Sequence, residues 1–251
     1  MMLLHEYLSR SADLAPGKTA LVCGNFRYTY RELASATDAL NGYFASSGLV
    51  RGDRVVIFLE NSFEAVVAIF GSLRAGGCIV VVNPATTPER LGYIMRNCGA
   101  KFLITSVEKL EKVQTAERLC SARPLMLLAG MSGDVKGAIS FERVLSDYPG
   151  ASPPYMIDTD LAAIIYTSGS TGSPKGVTHL HRSVDTAVDA IIEYLHNSSE
   201  DVILNTLALS SSYGLLQLLA TVKTGVAAVS QGIRVAPGEP VHRGYVRGTH
   251  P

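Results

Sequence analysis

Neither sign of charge is in excess in this chain. Its 251 residues carry 22 basic and 22 acidic side chains, so the balance gives nucleic acid or an anionic membrane no reason to bind. Cysteine is scarce and unpatterned. Cys23, Cys78, Cys98 and Cys120 show no Cys-x-x-Cys spacing, which points to reduced thiols in a cytoplasm rather than a disulfide scaffold. Long apolar runs are missing too. The most apolar window, residues 65–82, is broken by Arg74 and Gly76-Gly77 into helix, turn and strand, so no transmembrane segment is expected. His5, Glu6, Arg10 and Asp13 interrupt the first apolar stretch, a texture unlike that of a signal peptide. No internal repeat or low-complexity tract is visible. What remains, 47% hydrophobic and 18% charged residues, suits a globular protein able to bury a core as one domain or two.

The patterning alternates between two periods. Helical spacing occurs near residues 3–14, 30–47, 63–75, 88–97 and 107–120. Strand-like runs occur at 19–23, 54–59, 78–82, 102–105, 125–128 and 161–167. Such alternation predicts an α/β fold: layered, mostly parallel sheets with flanking helices. Residues 129–158, with Gly130, Gly133, Gly137 and the prolines from Pro149 to Pro154, read as a linker crossing the surface between two sub-layers.

The most informative ten residues are Thr167-Ser-Gly-Ser-Thr-Gly-Ser-Pro-Lys-Gly176. They follow the buried-strand pattern at 161–166 and precede residues 177–195, whose Val184, Val188, Ile191, Ile192 and Leu195 predict a helix. A strand feeding such a loop suits a polyphosphate. Glycines let backbone N–H groups approach phosphate oxygens, hydroxyls donate further bonds, and a lysine neutralises charge. This is not a Walker loop, because Ser173-Pro174 separate Gly172 from Lys175.

The segment resembles the phosphate-binding signature of the adenylate-forming superfamily, which holds acyl- and aryl-CoA synthetases, luciferases and peptide-synthetase adenylation domains. Four upstream segments match the family in order: Tyr28-Thr-Tyr-Arg-Glu-Leu33, Gly52-Asp-Arg-Val-Val-Ile57 with Leu59-Glu-Asn-Ser62, Leu73-Arg-Ala-Gly-Gly77 through Val82-Asn-Pro84, and Arg90-Leu91 with Tyr93 and residues 100–105. These read as scaffold: caps, turns and core strands. The resemblance covers roughly residues 1–225 and implies the incomplete amino-terminal domain of an AMP-dependent acyl-CoA synthetase. Its implied reaction activates a carboxylic acid with ATP to an acyl-adenylate and then forms an acyl-CoA thioester, using Mg²⁺ and coenzyme A. The implied nucleotide-binding residues are Thr167, Ser168, Gly169, Ser170, Thr171, Gly172 and Lys175. Leu209 to Gly214 resembles the motif that shapes the acyl pocket, so Tyr213 and Gly214 are expected to line the substrate site. Ala208 stands where the family commonly has proline, and Ser211 where it often has His or an aromatic ring. Without the family context, the Ser-Ser-Ser-Tyr-Gly run is simply a loop.

His179 and His181-Arg182 are expected at the start of the helix after the loop, as scaffold. Spacing of two puts the histidines on different sides of a helix, and no third ligand is near, so no metal site is expected. After Gly225 the texture changes. Residues 231–251 are rich in Gly, Pro, Arg and His and have no period; residues 226–251 are expected to be a disordered or out-of-frame tail. The later family motifs, Tyr-x-x-Thr-Glu, a ribose-binding Thr-Gly-Asp and the lid lysine, do not occur. Ser132-Gly-Asp134 is a decoy ahead of the phosphate loop. The resemblance therefore implies weak or absent activity for these residues alone, no catalytic residue, and self-association through exposed core. Two other readings stay open: a non-catalytic nucleotide-binding or partner-dependent remnant, and a piece of a peptide-synthetase adenylation domain. Against the last, Asn83-Pro84 stands where those domains usually have Asp-Pro.

Overall fold

The structure, a computed structural model, describes residues 1–120, 123–167 and 174–230. It opens with α1 (Glu6–Leu14), β1 (Thr19–Cys23), β2 (Phe26–Thr29), α2 (Tyr30–Ser46), β3 (Arg54–Phe58), α3 (Phe63–Arg74) and β4 (Cys78–Val81). Then come α4 (Pro88–Cys98), β5 (Ala100–Ser106), α5 (Leu110–Cys120), β6 (Leu125–Ala129), β7 (Ala138–Ser140) and α6 (Phe141–Asp147). The last part holds β8 (Leu161–Thr167), β9 (Lys175–Leu180), α7 (His181–Leu195), β10 (Val202–Asn205), α8 (Ser212–Thr224) and β11 (Ala227–Ser230).

Two sheets form. The larger has the order β7-β6-β5-β3-β4-β8-β9, parallel throughout except for β9, which runs antiparallel to β8. The smaller has the order β10-β11-β1-β2, with only β2 antiparallel. Strand alternation explains the layering. Val56, Phe58, Val80, Leu103 and Met126 face one side of the large sheet and pack on α4 and α5 through Leu91, Met95, Val113 and Ala116. Val55, Ile57, Phe102, Ile104 and Leu127 face the other side and join a core shared with the small sheet's Leu21 and Ala228 and the remaining helices. The layered α/β expectation holds. Among the described residues no helix is long and apolar enough to cross a membrane.

Local chemistry fixes the elements that lead to the site. Thr29 and Glu32 form a reciprocal capping box at the start of α2, 3.2 Å from the Glu32 N–H to Thr29 Oγ1 and 2.7 Å from the Thr29 N–H to Glu32 Oε2. Pro88 opens α4 behind its N-cap Thr87, and Gly99 ends it with φ 63°. The Arg54 guanidinium donates to the carbonyls of Cys98 and Gly99 at that end, tying α4 back to β3.

Four expectations need correction. The helix expected over 177–195 begins only at His181, because residues 175–180 pair with β8 as a hairpin strand; the apolar helical spacing starts at Val184. The stretch 129–158 is not a plain linker: β7 extends the sheet edge beside β6, and Ser140 caps α6, which buries Phe141 and Val144. The 209–214 run is not simply a loop, since Ser211 caps α8 and residues 212–214 form its first turn. The fold also continues past 225, with Val226 fully buried and β11 paired between β1 and β10. The end of the tail, residues 231–251, lies outside the described residues.

Candidate functional site

The hairpin of β8 and β9 presents the Gly/Ser/Thr segment. Ala162 and Ala163 anchor β8 in the core, and β8 becomes exposed by Thr167. Register places Thr167 opposite Lys175. Ser168, Gly169, Ser170, Thr171 and Gly172 lie outside the described residues. Both flanking groups, the Thr167 hydroxyl and the Lys175 ammonium, are on exposed residues at the hairpin mouth. Among the described residues no carboxylate pairs with Lys175. Gly176 has to be small: a Cβ there would lie 2.8 Å from Ile164 Cγ2 and 3.0 Å from the Tyr166 ring.

This mouth opens at the carboxyl ends of parallel strands β4 and β8, the usual ligand position in open α/β sheets. A cavity of about 490 Å³ lies there. One wall carries Asn83, Thr87 and Arg90 from the turn after β4 and the start of α4, with Tyr166 from β8; the other carries Ala208, Ser210 and Ser211. Asn83 Oδ1 accepts from the Ala85 N–H at 2.8 Å and turns the chain after β4. The Tyr166 hydroxyl donates to Asn97 Oδ1 at 2.5 Å. Burial, with Cys98 and Tyr93 nearby, pushes its pKa up to about 12, so it stays neutral.

The second wall is tightly built. Ser211 Oγ donates to Ala208 O at 2.8 Å and accepts from the Gly214 N–H at 3.0 Å. Asn205 Nδ2 donates to Gly214 O at 3.2 Å. Asn61, from the turn between β3 and α3, donates to Leu207 O at 2.8 Å and accepts from the Leu209 N–H at 3.0 Å. Of the two residues expected to line the substrate site, Gly214 is buried in the first turn of α8, and Tyr213 is 48% exposed beside it. The cavity wall itself is made by the residues just before them, Ala208 to Ser211. Sequence reasoning missed Tyr166, Arg90 and Asn61 as site residues. Tyr166 directly precedes the loop, and that adjacency was the available signal.

His179 lies on β9, not on a helix, and His181 is the first residue of α7. His181 is 1% exposed, and its Nδ1 accepts from the Leu4 N–H at 3.2 Å. Its role is therefore structural, tying the N-terminal segment to α7. One turn on, Asp185 accepts from the Tyr7 hydroxyl, from the Met2 N–H at 3.1 Å and from Lys223 Nζ at 2.6 Å. Among the described residues no group of three or more His, Cys, Asp or Glu is placed to hold a metal. A second cavity, about 590 Å³, lies at the opposite sheet edge and is lined in part by Ser132, Gly133, Asp134 and Arg143. Its Asp134 side chain is fully exposed, 3.8 Å from Arg143, and its buried Ser140 is already bonded to Glu142 and to the Arg143 N–H.

The family model described as AMP-binding enzyme matches residues 8–239. Bacitracin synthase 1 of Bacillus licheniformis is 32% identical over 228 residues, 90% of this chain and 4% of that protein. The 3-hydroxybenzoate–CoA/4-hydroxybenzoate–CoA ligase of Thauera aromatica is 28% identical over 225 residues, 89% of this chain and 42% of that enzyme. The chain thus spans less than half the length of these relatives. The crystal structure of the anthranilate CoA ligase AuaEII in complex with anthranoyl-AMP superposes with a TM-score of 0.86 at 23% identity, covering 91% of this chain and 44% of that one. The family match runs over nearly the whole sequence, residues 8–239, and so the chain belongs to the AMP-binding enzyme family.

Proposed function

We propose that the chain takes part in ATP-dependent activation of a carboxylic acid, as the amino-terminal portion of an AMP-forming acyl-CoA ligase. The observation that carries this reading is the hairpin mouth, where exposed Thr167 and Lys175 pair across β8 and β9 and Thr167 directly follows the cavity-lining Tyr166. In the reaction, a carboxylate oxygen bonds to the α-phosphorus of ATP and the bond to pyrophosphate breaks. A thiol then attacks the acyl carbon, and AMP leaves. The loop's N–H and hydroxyl groups, with Lys175, would steady the negative charge on the departing pyrophosphate. Tyr213 and Gly214 would stand near the acyl group. Coenzyme A as acceptor and Mg²⁺ follow from family membership alone, and the described residues offer no carboxylate cluster for the cation. A polypeptide of these 251 residues lacks the Tyr-x-x-Thr-Glu and ribose-binding Thr-Gly-Asp motifs, and since most of the rate comes from positioning, its pyrophosphate exchange should be weak.

Peptide-synthetase activation of an amino acid is the second reading, favoured by the 32% identity to bacitracin synthase 1 and opposed by Asn83-Pro84. ATP titration tests the shared core of both. Lys175→Ala should weaken ATP binding at least about tenfold, and equal affinity in the two proteins would refute the phosphate role. Pyrophosphate exchange with a panel of aryl, acyl and amino acids separates the two substrate classes.

A further inference from the structure

Residues 206–211 leave the small sheet at the end of β10 and form one wall of a cavity whose other wall belongs to the large sheet. Something must hold one sheet's connection against the other sheet. Leu209 does part of it: at 5% exposure it belongs to the core cluster that includes Ile79, Ala163 and Leu215. The directional part falls to Asn61. Its carboxamide donates to Leu207 O and accepts from the Leu209 N–H, 2.8 and 3.0 Å away. These are the two backbone groups flanking Ala208, bonded as a parallel neighbouring strand would bond them. Asn61 is itself fixed on both sides, by the end of β3 and by Ser62, whose Oγ caps α3 through the Ala65 N–H at 3.2 Å. Its partners are 146 and 148 residues away in the chain.

We propose that Asn61 is a positioning residue of the activating site. Its carboxamide sets the distance between the wall of Ala208, Ser210 and Ser211 and the wall of Asn83, Arg90 and Tyr166. The inference rests on the reading of this cavity as part of the adenylating site. Asn61→Ala removes both bonds. Asn61→Asp keeps the acceptor for the Leu209 N–H but sets an oxygen against Leu207 O.

Two measurements on the full 251-residue chain test it. Amide hydrogen exchange reports the clamp without any ligand. In Asn61→Ala the Leu209 amide should exchange about tenfold faster while β3 amides keep their rates, and Asn61→Asp should retain most of the protection. Titration with anthranoyl-sulfamoyl-adenosine, a non-hydrolysable acyl-adenylate mimic, reports the positioning. Affinity should fall about tenfold in Asn61→Ala, or about 1.4 kcal/mol, with an intermediate loss in Asn61→Asp. An unchanged Leu209 amide overturns the clamp. Faster exchange with unchanged mimic affinity overturns the positioning role. If Lys175→Ala binds ATP as tightly as the parent, the adenylating reading fails and takes the positioning role with it, while the exchange result still reports whether the clamp exists.

Discussion

Acid should unfasten the N-terminal segment from α7. Two histidines sit in this junction, His5 at 5% and His181 at 1% exposure. His181 Nδ1 accepts the Leu4 N–H, a bond that requires that nitrogen to be unprotonated. Burial lowers the His181 pKa from 6.5 to about 4, against the opposing charge of Asp160. Burial, then His181, then Arg74 lower His5 to about 4 as well. In the unfolded chain both titrate near 6.5. Between these values the unfolded chain binds more protons than the folded one, so stability rises with pH across that interval. The contribution is complete above about pH 6.5 and is lost progressively as the pH falls toward 4. For a single histidine the drop from 6.5 to about 4 amounts to about 3 kcal/mol, or roughly 6–12 °C in thermal midpoint for a chain of this size. Of the nearby carboxyls, Asp38, paired with Arg74, is raised by burial, so its titration opposes the histidine slope at the acid end. Asp160 and Asp185 both titrate below 3.8, so their losses come at lower pH. Thermal unfolding followed by circular dichroism at constant ionic strength, from about pH 7.5 to about pH 4.5, measures the slope. His181→Gln supplies the control, since its side-chain oxygen can accept from Leu4 without titrating, and it should flatten the curve. A midpoint that stays constant over the range, or a slope that survives replacement of both histidines, would refute the reasoning.

Two further outcomes follow from close contacts. A Cβ on Gly214 would lie 2.3 Å from Ala208 O, so Gly214→Ala should cost about 3 kcal/mol in urea unfolding; a cost within error of zero would show that this turn is not tight. Among the described residues, Asp185→Asn leaves Lys223, 13% exposed, with only Asp189 at 2.5 Å as a charged partner and should cost about 3 kcal/mol. A midpoint equal to the parent's would mean that the buried pair contributes nothing net.

Where the chain's own periodicity decided the structure, the sequence was a reliable guide. The strand expected at 161–167 is β8 residue for residue, and the helix expected at 30–47 is α2 less its last residue. The turn at Gly76, where the sequence breaks from helix to strand, has φ 80°, a value that favours glycine. Periodicity works there because each element buries one face against its immediate layer. Short elements gave weaker signals. β7 has three residues and α6 seven, lengths at which neither period repeats often enough to stand out among glycines. At 175–180 the chain carries both a turn signature and the approach to a helix, and only pairing with β8 decides for a strand.

The site was legible only in part, for a physical reason. The loop's signal is local: glycine, hydroxyl and lysine in ten consecutive residues are together what pointed to an anion. The cavity beside it is not local. Its walls come from the turn after β4, the end of β8 and the connection after β10, and the bonds that hold the last of these begin at Asn61. Asn61 lies in a segment that reads as ordinary scaffold, a polar residue between a strand and a helix cap, and nothing within ten residues of it hints at partners about 150 positions on. His181 is the same case. Its neighbours in sequence suggested a scaffold position on a helix, but its fixing partner is Leu4, 177 residues back. Groups of this kind carry one or two directional bonds and little apolar area, so they leave no mark on hydrophobic periodicity. They also decide how the two sheets meet, and the cavity of the proposed site lies at that meeting, not within either sheet.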